Sequence, residues 1–337
     1  MTACGGQRIA CSKESLGRSP WLFAMCCLLV AGLGLADDGD AAVMKKRRQQ
    51  GILTGMPFMA NLAPRTFVDD LDRKIFLAAA PVRIVSLAPS VTEMLFAMGA
   101  GGQVVGVTKF CDYPPEAEAL PKVSAGTPNI ESLVALKPDL VVTSKDFIRP
   151  DTLAKLEQLK IPTVVFVDAA VVEDVYRHIQ MLGRMLNRQS AADAVVGGMR
   201  QQVAAITMKT KSRPHPRVLY VLNGDPFVTV GTGSFIHQLI GLAGGINVAQ
   251  ASPVAYPRLS LEEVLRQDPE IIVFPAGVGE SVPEEEQRRW RQWTTVTAVK
   301  RDRFVQVPSV LLDRPGPRVV EGLDALARQL HPEAFDK

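Results

Sequence analysis

From about residue 65 to its end, the chain alternates short apolar runs with amphipathic stretches. "RIVSLAP" (83–89) is an apolar run closed by proline, the pattern of a strand buried on both faces. In "SVTEMLFAMG", which follows it, Ser90 and Glu93 have capping-box spacing and Gly99 supplies a stop. This predicts a helix begun by Ser90. "QVVGVT", "DLVVTS" and "PTVVFV" predict further strands, with helices in "NIESLVALK" and "PDTLAKLEQLK". Ahead of them, "TFVDDLDRKIFL" (66–77) predicts a hairpin turning at 70–72. Strands and helices joined by short links predict a parallel sheet covered on both faces.

Over 170–187 the pattern changes. Val172, Val175, Ile179, Leu182 and Leu186 recur at three and four residues, one stripe of one long helix. A second helical stretch covers 190–211. "RPHPRVLYVL" then restarts the strand pattern, and "SFIHQLIGLAGG", "SLEEVLRQD", "EIIVFP", "RFVQVP" and "RPGPRVVEGLDALARQLHP" carry it to the end. The expected fold is α/β: two Rossmann-like lobes on central parallel sheets, joined by a single long α-helix. The expected boundaries are 65–169 for the first lobe, 170–187 for the joining helix and 188–337 for the second lobe. Hinge motion about such a join is expected to be small, because bending it breaks helix hydrogen bonds and a packed stripe.

The second lobe repeats a piece of the first. Shifted by 131 positions, "NIESLVALKPDLVV" (129–142) becomes "SLEEVLRQDPEIIV" (260–273), and Glu131 falls on Glu262. Asn129 and Ser260 are good N-cap residues, and a first-turn glutamate complements the helix dipole by about 0.3–1 kcal/mol. Local helix chemistry explains either copy alone. The pair also makes a two-pronged acidic surface, which a partner with two basic pockets can read.

Residues 1–64 carry seven Lys/Arg and four Asp/Glu, leaving 31 of each beyond them. A neutral body lacks the basic footprint of nucleic-acid binding. Arg8, Lys13 and Arg18 precede the apolar run "WLFAMCCLLVAGLGLA" (21–36), with small residues Gly34 and Ala36 at its end. That order predicts a secretory signal in 1–36, with an uncleaved N-terminal anchor as the alternative. Residues 37–64, which include "KKRRQQG", predict a flexible tether. Of the five cysteines, only Cys111 lies beyond the leader, so no internal disulfide is expected there.

Cleft walls in parallel α/β lobes come from loops at the carboxyl ends of strands. Those loops hold Pro89 and Ser90, then Phe110, Asp112 and Tyr113, then Asp225, Pro226 and Phe227, then Tyr256, then Asp313 and Arg314. Several are aromatic, which suits a large planar ligand. The four histidines, His178, His215, His237 and His331, show no ligand spacing, so no metal site is expected. Ser234 and His237 lack a nucleophile elbow, Gly231 and Gly233 complete no dinucleotide fingerprint, and no phosphate loop occurs. A secreted hydrolase is the weaker reading; Ser234 reads as a helix N-cap.

"RIVSLAPSVTEMLFAMG", "GVTKFCDYPPEA", "NIESLVALKPDLVV", "YPRLSLEEVL" and "RPGPRVVEGLDAL" together resemble the substrate-binding proteins of ABC importers for vitamin B12 and iron chelates. The resemblance spans about residues 65–333. It implies an extracytoplasmic or periplasmic binding protein, not an enzyme, of the helix-joined class III type. Its partners are the permease's transmembrane subunits and a separate ATPase subunit. It implies docking through Glu131 and Glu262, with Phe110, Phe227, Tyr256 and Arg314 lining the ligand site; the strand-end loops add Pro89, Ser90 and Tyr113 to that expected site. The implied ligand is a cobalamin-like corrinoid, carried as cargo rather than as a cofactor. The vitamin-binding relatives carry tryptophan in the loop before the first docking glutamate. Here that loop is "SAGTPN" (124–129), so haem and a ferric siderophore stay open. Either Trp290 and Trp293 pack as one helix face, or Trp290 reaches the cleft.

Overall fold

A computed structural model describes residues 64–335 except 125–128, 225 and 278–283. The expected signal segment, nearly all of the tether, most of "SAGTPN" and Asp225 lie outside the described residues. Strands β1 (Arg65–Val68) and β2 (Lys74–Leu77) form the expected antiparallel hairpin. Asp69 closes its turn by accepting from the backbone N–H groups of Leu71 and Arg73 at 3.1 and 3.0 Å.

The first lobe then winds β3 (Ile84–Ser86), β4 (Val104–Thr108), β5 (Lys122–Val123), β6 (Leu140–Ser144) and β7 (Thr163–Phe166). They form one sheet in the order β5-β4-β3-β6-β7, parallel throughout. The apolar runs are strands because both sheet faces are covered: Ile84, Val85, Leu140, Val141 and Val142 are all fully buried. Helices α1 (Pro89–Ala97), α2 (Ile130–Ala135) and α3 (Pro150–Gln158) connect them. The chain reverses its winding at β3 and β6, so the loops after these two strands open a crevice.

Helix α4 (Val172–Met185) follows, then α5 (Gln189–Thr210). The whole predicted stripe of α4, from Val172 to Leu186, is buried. The join was expected over 170–187; α4 meets the second lobe at its start, where the Val172 N–H donates to Gln238 at 2.6 Å, and α5 reaches both lobes. Arg188, at its N-cap, hydrogen-bonds Gln103 of the first lobe, and Thr207 near its end donates to the Leu242 carbonyl of the second. Helix α4 also packs beside the first sheet, where His178 stacks on Phe166 at 4.2 Å. The stripe marked a buried helix but carried no information about what it packs on.

In the second lobe, β8 (Arg217–Tyr220) leads into a small hairpin of β9 (Asn223–Gly224) and β10 (Phe227–Val228). Strands β11 (Ile246–Asn247), β12 (Ile271–Ala276) and β13 (Phe304–Pro308) join β8 in a parallel sheet ordered β11-β8-β12-β13. Helices α6 (Phe235–Leu242), α7 (Leu261–Gln267), α8 (Glu284–Arg291) and α9 (Val319–Leu330) cover it. One apolar core runs from the first sheet through α4 and α5 to α9, and each lobe keeps a smaller core on its outer side. Among the described residues, no helix is long and apolar enough to cross a membrane.

Candidate functional site

Between the lobes lies a cavity of about 530 Å³. The first lobe supplies Pro89 and Ser90 after β3, Phe110 after β4, Asp146 and Phe147 after β6, and Asp168 after β7. The second supplies Tyr256 from the loop before α7 and Asp313 and Arg314 after β13. Phe110 is 45% exposed and Tyr256 59%, so one aromatic from each lobe stands bare at the cavity. Bare rings that converge on one cavity mark it as a candidate binding site. Phe147 meets Phe110 edge-on at 6.3 Å, extending the apolar wall of the first lobe.

Of the seven residues expected at the ligand site, Pro89, Ser90, Phe110, Tyr256 and Arg314 meet at this cavity. Tyr113 and Phe227 lie elsewhere. The Tyr113 ring sits against the Arg318 guanidinium, 3.7 Å from centroid to carbon, and lines a separate cavity with Glu93 and α5 residues. Phe227 is turned by the β9–β10 hairpin onto Trp290, ring centroids 5.4 Å apart. Trp290 and Trp293 belong to the outer core of the second lobe. The sequence reading missed Ser144, Asp146, Phe147, Asp168 and Ala169, all of which line the cavity. Each ends or follows a correctly read strand, so the rule that found Phe110 applies to them equally.

Ser90 does not cap α1. That helix starts at Pro89 with Ala88 at the N-cap and no side-chain cap. Glu93 is not a capping partner either. It is 3% exposed and takes the Arg318 guanidinium on both oxygens, at 3.0 and 2.6 Å. Burial pushes the Glu93 carboxyl above its ordinary value, and the pairing with Arg318 opposes that rise. Beside it, Arg314 grips Asp112 with its two terminal guanidinium nitrogens, and these hydrogen bonds hold the Asp112 carboxyl low. Two arginines of the second lobe are thereby tied to two carboxylates of the first.

The remaining acids of the cavity behave differently. Burial, then the hydrogen bond and charge of neighbouring Asp146, push the Asp168 carboxyl up to about 7. Burial pushes the Asp313 carboxyl up to about 6. Protein atoms surround both, yet both stay open to cleft water, which screens part of the effect. A carboxyl whose folded pKa lies above its unfolded 3.8 holds its proton more tightly in the folded state. Stability therefore declines as pH rises from 3.8 to about 7 and is level above that. Replacing Asp168 and Asp313 together by Asn is expected to remove this decline. Thermal melts should show the variant gaining over wild type at about pH 8 and not at about pH 4. An equal change at both contradicts it.

Glu131 and Glu262 sit apart from the cavity, one per lobe, both exposed in the first turns of α2 and α7. The expected caps are present. Asn129 accepts from the N–H groups of Glu131 and Ser132, and Ser260 from that of Glu263. Ser234 is likewise an N-cap, accepting from the His237 N–H at 3.2 Å. Among the described residues, no group of three or more His, Cys, Asp or Glu could hold a metal ion.

A sequence model of periplasmic binding proteins matches residues 84–311. The chain is 30% identical over 250 residues to a vitamin B12-binding protein of Vibrio cholerae, covering 74% of this chain and 88% of that one. It is 29% identical over 316 residues to an ABC transporter substrate-binding lipoprotein of Bacillus subtilis, covering 91% of this chain and 96% of that one. The crystal structure of a periplasmic heme-binding protein from Roseiflexus superposes with a TM-score of 0.67 at 25% identity, covering 75% of this chain and 98% of that one.

Proposed function

The chain belongs to the periplasmic binding protein family, whose members bind substrates for ABC transporters, and from that premise we propose that it carries a cobalamin-like corrinoid. The cargo sits between the lobes and passes to the transmembrane subunits of an importer driven by a separate ATPase. The observation that carries this reading is the interlobe cavity, with Phe110 and Tyr256 bare on opposite walls. Two aromatic walls grip a flat macrocycle by dispersion and desolvation, without covalent chemistry. The name of the Vibrio cholerae relative supports the corrinoid in particular.

One observation favours haem as a second reading. Tyr256 reaches the cavity, tyrosine is a known haem ligand, and the Roseiflexus neighbour binds heme. Burial and then the charges of Asp168, Asp313 and Asp146 push the Tyr256 phenol up, which works against iron ligation as phenolate.

In this reading the protein is exported by its N-terminal apolar segment and works outside the cytoplasm. Docking uses Glu131 and Glu262 on arginines of the permease. Titration calorimetry with cyanocobalamin and haemin, side by side, tests the cargo. Saturation at one cyanocobalamin per chain is expected, with Phe110→Ala and Tyr256→Ala each weakening it about tenfold. Saturation by haemin with no heat from cyanocobalamin contradicts the corrinoid reading.

A further inference from the structure

The cavity is lined by three carboxylates and one guanidinium, with the Lys109 ammonium 5.1 Å from the centre of the Phe110 ring. Asp146 and Asp168 follow adjacent strands of the first lobe and hydrogen-bond each other, and Asp313 comes from the second lobe. Arg314 lines the same space, but its guanidinium is committed to Asp112 and lies 3.8 Å from Glu93. Lys145, next in sequence to Asp146, is exposed and is not among the lining residues, though its charge reaches Asp168. A cargo entering this space strips water from three acids and meets no spare guanidinium. The acids then need donors, and a carboxylate on the cargo offers none.

We propose that Asp146, Asp168 and Asp313 select cargo by the chemistry of its edge, admitting one fringed with amide or ammonium donors and rejecting one fringed with carboxylates. This rests on the reading that cargo is held in the interlobe cleft. It sorts the candidate ligands by a feature the aromatic walls cannot sense. A corrin edged with primary amides matches the acids. At about pH 8, where Asp168 and Asp313 are ionised, a haem edged with propionates places like charges together in a space closing to water.

The test uses two corrinoids with the same ring. Dicyanocobinamide carries amides at the edge, and dicyanocobyrinic acid carries carboxylates. At about pH 8 the full-length protein is expected to bind the first at least about tenfold more tightly. In the combined variant Asp146→Asn, Asp168→Asn, Asp313→Asn the ratio between the two should shrink at least about threefold. The ratio is read within one preparation, so partial misfolding affects both ligands alike. Equal affinities in wild type, or an unchanged ratio in the variant, overturn the selector while leaving the corrinoid reading intact. If neither corrinoid binds, the corrinoid reading fails, and haemin against its dimethyl ester decides the selector. Preference for the ester supports it, and preference for the dianion overturns it. No binding by any of the four overturns both.

Discussion

Replacing Glu131 and Glu262 together by alanine is expected to abolish cargo delivery by the permease while leaving cargo affinity unchanged. Both side chains are exposed, and neither lines the cavity. Their helices do not depend on them for starting, because Asn129 and Ser260 supply the caps. Losing a first-turn carboxylate costs about 0.3–1 kcal/mol at each helix, offset in part by the helix propensity of alanine. The melting point should hardly move. Delivery is another matter: each exposed ion pair is weak alone, yet the two fix orientation across the lobes. Uptake into vesicles carrying the matching permease and ATPase should fall to the level without binding protein, with calorimetric affinity as before. Normal uptake by the double variant removes the docking assignment.

Gly231→Ala is expected to cost about 3 kcal/mol and to loosen the loop that carries Tyr256. A methyl at this position would lie 2.1 Å from the Val254 carbonyl oxygen and 2.8 Å from that of Ser252. Both obstacles are backbone, so the loop itself has to move. The Gly231 N–H also donates to the Ala255 carbonyl at 2.9 Å, tying the two segments one residue before Tyr256. For a chain of this size the cost corresponds to a fall of about 6–12 °C in melting temperature. Cyanocobalamin affinity should drop with it, because Tyr256 loses its fixed position. An unchanged melting point and affinity would show that this close approach is not needed.

The apolar runs made the fold legible because a parallel sheet buried on both faces leaves little choice of residue. Asn129, Ser234 and Ser260 were readable as caps because the cap bond is local. Ser90 and Glu93 have capping-box spacing yet do something else, because Pro89 starts α1 and Glu93 finds Arg318 225 residues away. No local pattern encodes such a partner. Phe227 failed for a related reason: its loop follows a strand, but the hairpin turns the ring outward onto Trp290. Tyr113 is held by Arg318, again across the lobes. Asp146 and Asp168 follow strands of the first sheet and obey the same strand-end rule as Phe110.

The most direct test of capture between the lobes is a crystal structure of the protein with cyanocobalamin. The corrin ring is expected between Phe110 and Tyr256, with its amide edge toward Asp146, Asp168 and Asp313. Density instead in the cavity beside Tyr113 and Arg318, or on the outer surface of either lobe, would contradict it.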